Sequence, residues 1–116
     1  MSVKLHNEGF EHALQLINAG EVDAFDENWD EVKPTHDEIV NFINAHFMKE
    51  YGLWFLGTYS KYPKDAKEHY VYPYGDLKMV QVSGLKTSLH AAHKDANHDI
   101  AAAAQKLLDI IQKKHQ

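Results

Sequence analysis

Cysteine and arginine are both absent from this chain. Without thiols there is no disulfide, iron–sulfur cluster or cysteine nucleophile. Without guanidinium there is no planar two-pronged donor of the kind suited to phosphate or guanine. The 12 basic residues are all lysine, and 17 acids outnumber them, giving a formal charge of −5. That balance argues against reading nucleic acid. No apolar run approaches the roughly 18 residues needed to cross a bilayer. The opening MSVKLHNEGF has no apolar stretch of a signal peptide, so a cytoplasmic location with no membrane role is expected. Ser83 precedes Gly84 without the G-x-S-x-G elbow. Gly52, Gly57, Gly75 and Gly84 lie too far apart to cradle a phosphate. No enzyme and no cofactor are expected on these grounds.

What is present describes a globular chain: 116 residues, 44% hydrophobic and 25% charged. A single domain over 1–116 can bury its own core without staples. Charge is divided unevenly. Residues 1–50 hold 11 acids and 3 lysines, net −8, whereas residues 51–116 hold 6 acids and 9 lysines, net +3. Complementary halves can seat against each other, join copies head to tail or attract a partner.

Apolar spacing organises the chain into helices around a central aromatic stretch. Phe10, Ala13, Leu14 and Ile17 predict an amphipathic helix, capped by Asn7 and ended by a left-handed Gly20. Residues 21–34 carry six acids and read as a solvated loop closed by Pro34. Thr35 and Glu38 form a capping box. The helix that follows should bury Ile39, Phe42, Ile43 and Phe47, with His46 at its core or boundary, and stop near Gly52. Leu53–Thr58 reads as a strand. Tyr70–Tyr74 and Leu77–Val82 read as a hairpin turning at Pro73–Asp76. Leu85–Ala96 reads as a helix with Leu85, Leu89 and Ala92 inward. A last helix is capped by Asn97 and balanced by Lys113, Lys114 and His115, and it buries Ile100, Ala103, Ala104, Leu107, Leu108 and Ile111. The expected fold is α+β, with about four helices packed on a small antiparallel two-stranded hairpin. Trp54, Phe55 and Leu56 join Ile39, Phe42, Ile43, Leu107, Leu108 and Ile111 in its core.

Three sets of residues are candidates for function. Phe25 and Trp29 stand among acids, either pinning a loop or forming an acidic-aromatic docking surface; the Asp spacing does not match a calcium loop. Tyr70, Tyr72 and Tyr74 alternate, presenting three rings on one side of an edge segment. With Lys64, Lys67 and Lys78 they suggest a stacking platform or simply core. His90 and His93 share a helix face, with His98 following and Asp95 and Asp99 nearby. Such a set either ligates a metal or lies on the helix surface, where it adds pH sensitivity to a contact with the acidic half.

The order YGLWFLG, DAKEHYVYPYGD, KMVQVSGL and DIAAAAQKLLDII across residues 51–111 resembles a small domain of bacteriophage and prophage genes. That domain reads W-x-L-G, then K-x-x-Y-x-Y-P-x-G, then a K-V-x-R-S-G-L-type turn into two Ala-rich helices. It occurs alone or appended to prohead-protease-like proteins. The Gly20–Asp23 end of the first helix is similar too. Val82 stands where the family often has arginine, and His90 and His93 stand where it has basic residues, which weakens any phosphate-binding role. The resemblance implies a phage-related accessory module without catalytic residues. Together these readings expect a protein partner or self-association, with a metal-binding protein using His90, His93 and His98, or a nucleic-acid accessory protein, as alternatives.

Overall fold

The computed structural model describes residues 3–25 and 27–114. The chain is α+β and mostly helical. Its order is β1 (Val3–Leu5), α1 (Asn7–Asn18), β2 (Val22–Asp23), α2 (Trp29–Val32), α3 (His36–Gly52), β3 (Phe55–Tyr59), a 3-10 turn at Lys67–His69, β4 (Tyr70–Pro73), β5 (Val80–Gln81), α4 (Val82–Lys94) and α5 (His98–Lys114).

The sheet differs from the expected hairpin. β3 lies between β1 and β4, antiparallel to both, with Leu5 opposite Gly57 and Phe55 opposite Pro73. β5 pairs instead with β2, in parallel. A single bridge between Gly75 and Val80 is all that joins the two segments expected to pair. The cause is the turn itself. The Asp76 carboxylate accepts the backbone N–H groups of Lys78 (3.0 Å) and Met79 (2.8 Å), and Leu77 sits at φ 71°. A side chain that satisfies local N–H groups holds a turn where a ladder would otherwise form. α4 then starts at Val82, three residues before its expected start, taking Ser83 and Gly84 into its first turn.

The core lies between the sheet, α1 and the α4–α5 pair. Tyr74, Ile17, Leu56, Leu85, Ile100, Leu107 and Val80 are fully enclosed there. α5 buries Ile100, Ala101, Ala103, Ala104, Leu107 and Ile111, with Leu108 only partly covered. α1 ends as the sequence suggests. Gly20 at φ 79° lets its own N–H reach Ile17 O (3.1 Å) and the Glu21 N–H reach Leu16 O (2.8 Å), a Schellman closure. Its start differs: Asn7 is the first helical residue and His6 holds the cap position without a side-chain bond. α4 closes with the same bond pattern as α1, but Ala96, at φ 59°, takes the left-handed place that glycine usually fills. His115 lies outside the described residues.

The largest departure concerns α3. Its capping box forms, with the Glu38 N–H donating to Thr35 Oγ1 (3.2 Å) and the Thr35 N–H to Glu38 Oε1 (3.0 Å). Yet Ile39, Phe42 and Ile43, expected in the core, are only partly buried against its edge. Val40 is exposed, and Phe47 is 73% exposed. His46 is exposed rather than enclosed, its ring 4.6 Å from that of Phe42. At Phe47 the backbone leaves helical values (φ 70°, ψ 165°), which splits α3 in two. Among the described residues no other helix or strand packs extensively along α3. The additional short helix α2 is capped by Asn28, whose side chain accepts the Asp30 N–H (3.0 Å), and it packs against α4.

Candidate functional site

The tyrosines expected to form one row engage three separate sets of partners. Tyr70 lies over Gly52, among His6, Tyr51, Phe55 and His69. Its hydroxyl donates to Lys64 O (3.0 Å). Tyr72, at φ 62°, turns toward the α4–α5 junction. There its hydroxyl donates to Asp95 Oδ2 (2.6 Å) and accepts from Asn97 Nδ2 (2.6 Å). Tyr74 is wholly buried and stacks on Trp54, with centroids 5.7 Å apart. Its hydroxyl donates to Leu53 O (2.6 Å) and therefore accepts from His12 Nδ1 (2.8 Å). Burial raises the pKa of all three. A stacking platform needs open ring faces, and Tyr74 offers none.

Phe25 and Trp29 also part company. Phe25 is 74% exposed, whereas Trp29 is buried against Gly84. A Cβ on Gly84 would stand 2.9 Å from that indole, so glycine in the first turn of α4 is what admits the ring. Trp29 thus fastens the acidic segment to the body rather than displaying a ring to solvent. Asp26, within that segment, lies outside the described residues.

His90, His93 and His98 are all exposed. Among the described residues no group of three or more His, Asp or Glu side chains could hold a metal ion. Other histidines carry the structure. The His69 Nδ1 meets Tyr62 O at 2.8 Å, and the His6 Nδ1 meets Phe55 O at 3.2 Å. His12 lies edge-on to Trp54, 5.2 Å between centroids. Desolvation lowers its pKa, partly opposed by its bond to the Leu53 backbone. None of these three stands out in the sequence by spacing; the available signal is the position of His6 and His12 beside the apolar face of α1.

A cleft of about 240 Å³ lies between α3 and the turn after β4, smaller than two depressions of about 560 Å³ beside the start of β1 and the α4–α5 junction. Trp29, Lys33, Pro34 and Ile39 line one side of the cleft, Tyr51, Trp54 and Phe55 the floor, and Pro73, Gly75 and Leu77 the lip. Both tryptophans of the chain therefore line it. Gly75 is needed there, because a Cβ would stand 2.7 Å from the Trp54 ring. The lip is fixed by Asp76, whose second oxygen accepts from Gln81 Nε2 (3.1 Å). Burial, with the nearby Glu68 charge, pushes the Tyr51 phenol up to about 12, so the floor stays uncharged. A second depression of about 280 Å³ continues past Leu77 along Glu38, Phe42 and His46. Lys78 reaches over it toward Glu38 (3.8 Å), an exposed pair that adds little stability. Bonds from the Thr35 backbone and hydroxyl hold the Glu38 carboxyl below its usual range. This surface contains no nucleophile paired with a base; what it can do chemically is cover apolar groups.

No protein-family model, curated protein or solved structure matches the chain. No helix among the described residues is long and apolar enough to cross a membrane.

Proposed function

We propose that this chain is a small non-catalytic interaction module. Its working surface is the cleft under α3 together with the uncovered apolar stripe of α3 itself. The observation that carries this reading is α3, broken at Phe47, whose Val40 and Phe47 are exposed and whose Ile39, Phe42 and Ile43 are only partly buried. Contiguous uncovered apolar surface on a globular chain marks a place where another molecule sits. The acidic N-terminal half adds charge that steers association. The module acts in the cytoplasm as an accessory protein. The motif order across residues 51–111 supports a phage- or prophage-associated setting.

A photoreactive amino acid at Val40, introduced in the cells that make the protein, tests this reading. The expected result is a discrete cross-linked species that weakens when Leu77→Asn alters the cleft lip and is missing when the probe sits at Lys106 on α5. No discrete species at Val40, or equal products from both positions, overturns it.

A further inference from the structure

We infer that the depression between β1, β4 and the α4–α5 junction binds a small organic ammonium ion, held against tyrosine rings beside the Asp95 carboxylate. It shares no lining residue with the α3 cleft and does not rest on the interaction-module reading.

A distorted strand builds the site. Val3 lies opposite Tyr59, and Gly57 opposite Val71. Side chains alternate along a strand, so Val3, Tyr59 and Val71 share one face of the sheet. A regular β4 would send the next residue, Tyr72, to the other face. At φ 62° it stays on the same side. A Cβ on Gly57 would meet the Tyr72 ring at 3.0 Å and Val71 Cγ2 at 3.1 Å, so both side chains lie over one glycine. Left-handed backbone is costly for a bulky residue, and such strain collects where a surface is shaped to a ligand. The far end of the ring is fixed as well, by the bonds of its hydroxyl to Asp95 Oδ2 and Asn97 Nδ2 (both 2.6 Å).

Size and charge select the occupant. The depression measures about 560 Å³, within the range of about 300–1,000 Å³ that holds small organic ligands. Val3, Tyr59, Val71 and Tyr72 line it together with Asp95 and Asn97, and Asp95 is the one charged residue among them. Asp95 is exposed, and its Oδ1 makes no hydrogen bond among the described residues. A carboxylate beside tyrosine rings attracts a cation twice, by its charge and by the ring quadrupole, and it repels an anion. The adjoining depression shares Val3 and Asn97; its Lys4 and Asp99 oppose each other in sign. Phe25, Val40, Phe47 and Tyr62, the large apolar residues exposed among the described residues, all lie outside the site. It therefore lacks the open apolar face by which a protein partner or a second copy would dock.

Phenethylamine, phenethyl alcohol and phenylacetate carry a positive, a neutral and a negative group on closely similar skeletons. Each would be titrated into the nitrogen-labelled full chain, with backbone amide signals followed by NMR. Phenethylamine should move the signals of Tyr59, Val71, Tyr72 and Asp95. It should bind about fivefold or more tighter than the alcohol, with phenylacetate weakest and the preference shrinking at high salt. Asp95→Asn keeps an oxygen for the Tyr72 hydroxyl and should bring the amine down to the affinity of the alcohol. Tyr59→Leu should weaken the amine about threefold. Asp109→Asn removes the same charge from a position outside the site and should change nothing.

Equal affinities for the three compounds overturn the inference, as do an amine preference that survives Asp95→Asn, signals that move elsewhere, or no binding at all. Tighter binding of N-acetyl-lysinamide than of phenethylamine would hand the site to a lysine of a partner protein. Movement of the same signals with protein concentration alone would hand it to a second copy. Either result also overturns the small-ligand inference.

Discussion

Helices α3 and α5 span the same number of residues and both carry apolar residues at helical spacing, but α5 is unbroken whereas α3 is interrupted at Phe47, and they end in opposite circumstances. α5 presses Ile100, Ala104, Leu107 and Ile111 into the body, where each is almost wholly enclosed. α3 carries Ile39, Phe42, Ile43 and Phe47 on a helix that the rest of the chain covers only in part. A 3.6-residue period states which side of a helix avoids water. It does not state whether the same chain supplies the cover. The polar groups divide in the same way. In the body, Tyr74, Tyr72, His12, Asp95 and Asn97 bond to one another or to backbone. Around α3, charges lie outward and apolar groups line a cleft.

The sharpest way to break this comparison is to truncate one residue on each helix. Leu107→Ala should lower the unfolding free energy by about 2–5 kcal/mol, as cavity-forming changes in enclosed cores do. Phe42→Ala should lower it by roughly 1 kcal/mol or less, because the ring already touches water. Urea denaturation of both variants is the check, and equal losses would show that α3 is as integral as α5.

A smaller effect tests the polar network of the body. Desolvation holds His12 below its ordinary pKa of 6.5, so the folded state prefers the neutral ring. The stability this contributes is complete above about pH 6.5. It is lost as pH falls from there through the lowered folded value, since protons then favour the unfolded chain. Stability measured from about pH 7.5 to about pH 5 should therefore fall more steeply for the parent than for His12→Gln. Parallel curves would remove His12 from the account.

The smallest expected change is a gain. Ala96 occupies the left-handed position closing α4, where a Cβ costs about 1–2 kcal/mol. Ala96→Gly should stabilise the chain by about 1 kcal/mol or somewhat less, after the extra freedom of glycine in the unfolded state is set against it. A rise in the urea midpoint at unchanged slope would establish it.

Much of the body could be read in the sequence because its signals are local. The Thr35–Glu38 box, the Gly20 closure and the α5 stripe each depend on residues within a few positions of one another. Pairing partners do not. β4 joins β3 across residues 60–69, and β1 reaches the same strand from 52 residues away, with Leu5 opposite Gly57 and only three residues to announce it. The structural histidines were hidden for a related reason. The i, i+3 spacing of His90 and His93 was conspicuous, whereas the partners of His6, His12 and His69 lie on other segments or on backbone. That Trp29 would pin its loop was one of two readings open from its neighbours; the glycine that receives it is 55 positions away, at Gly84. The cleft could not be read at all, since its walls come from α2, from α3 and from the turn after β4.

The break at Phe47 has a consequence for how the two halves of the chain hold together. An exposed aromatic residue in non-helical backbone, between two helical pieces, is the kind of peptide that chymotrypsin accepts. A cut there would free residues 1–47 from residues 48–116 in covalent terms only. β1 would remain laced to β3, β2 to β5, and the Trp29 ring to Gly84. The nicked chain would migrate as two fragments in denaturant and as one particle in buffer, which makes the molecule a natural pair of complementing halves.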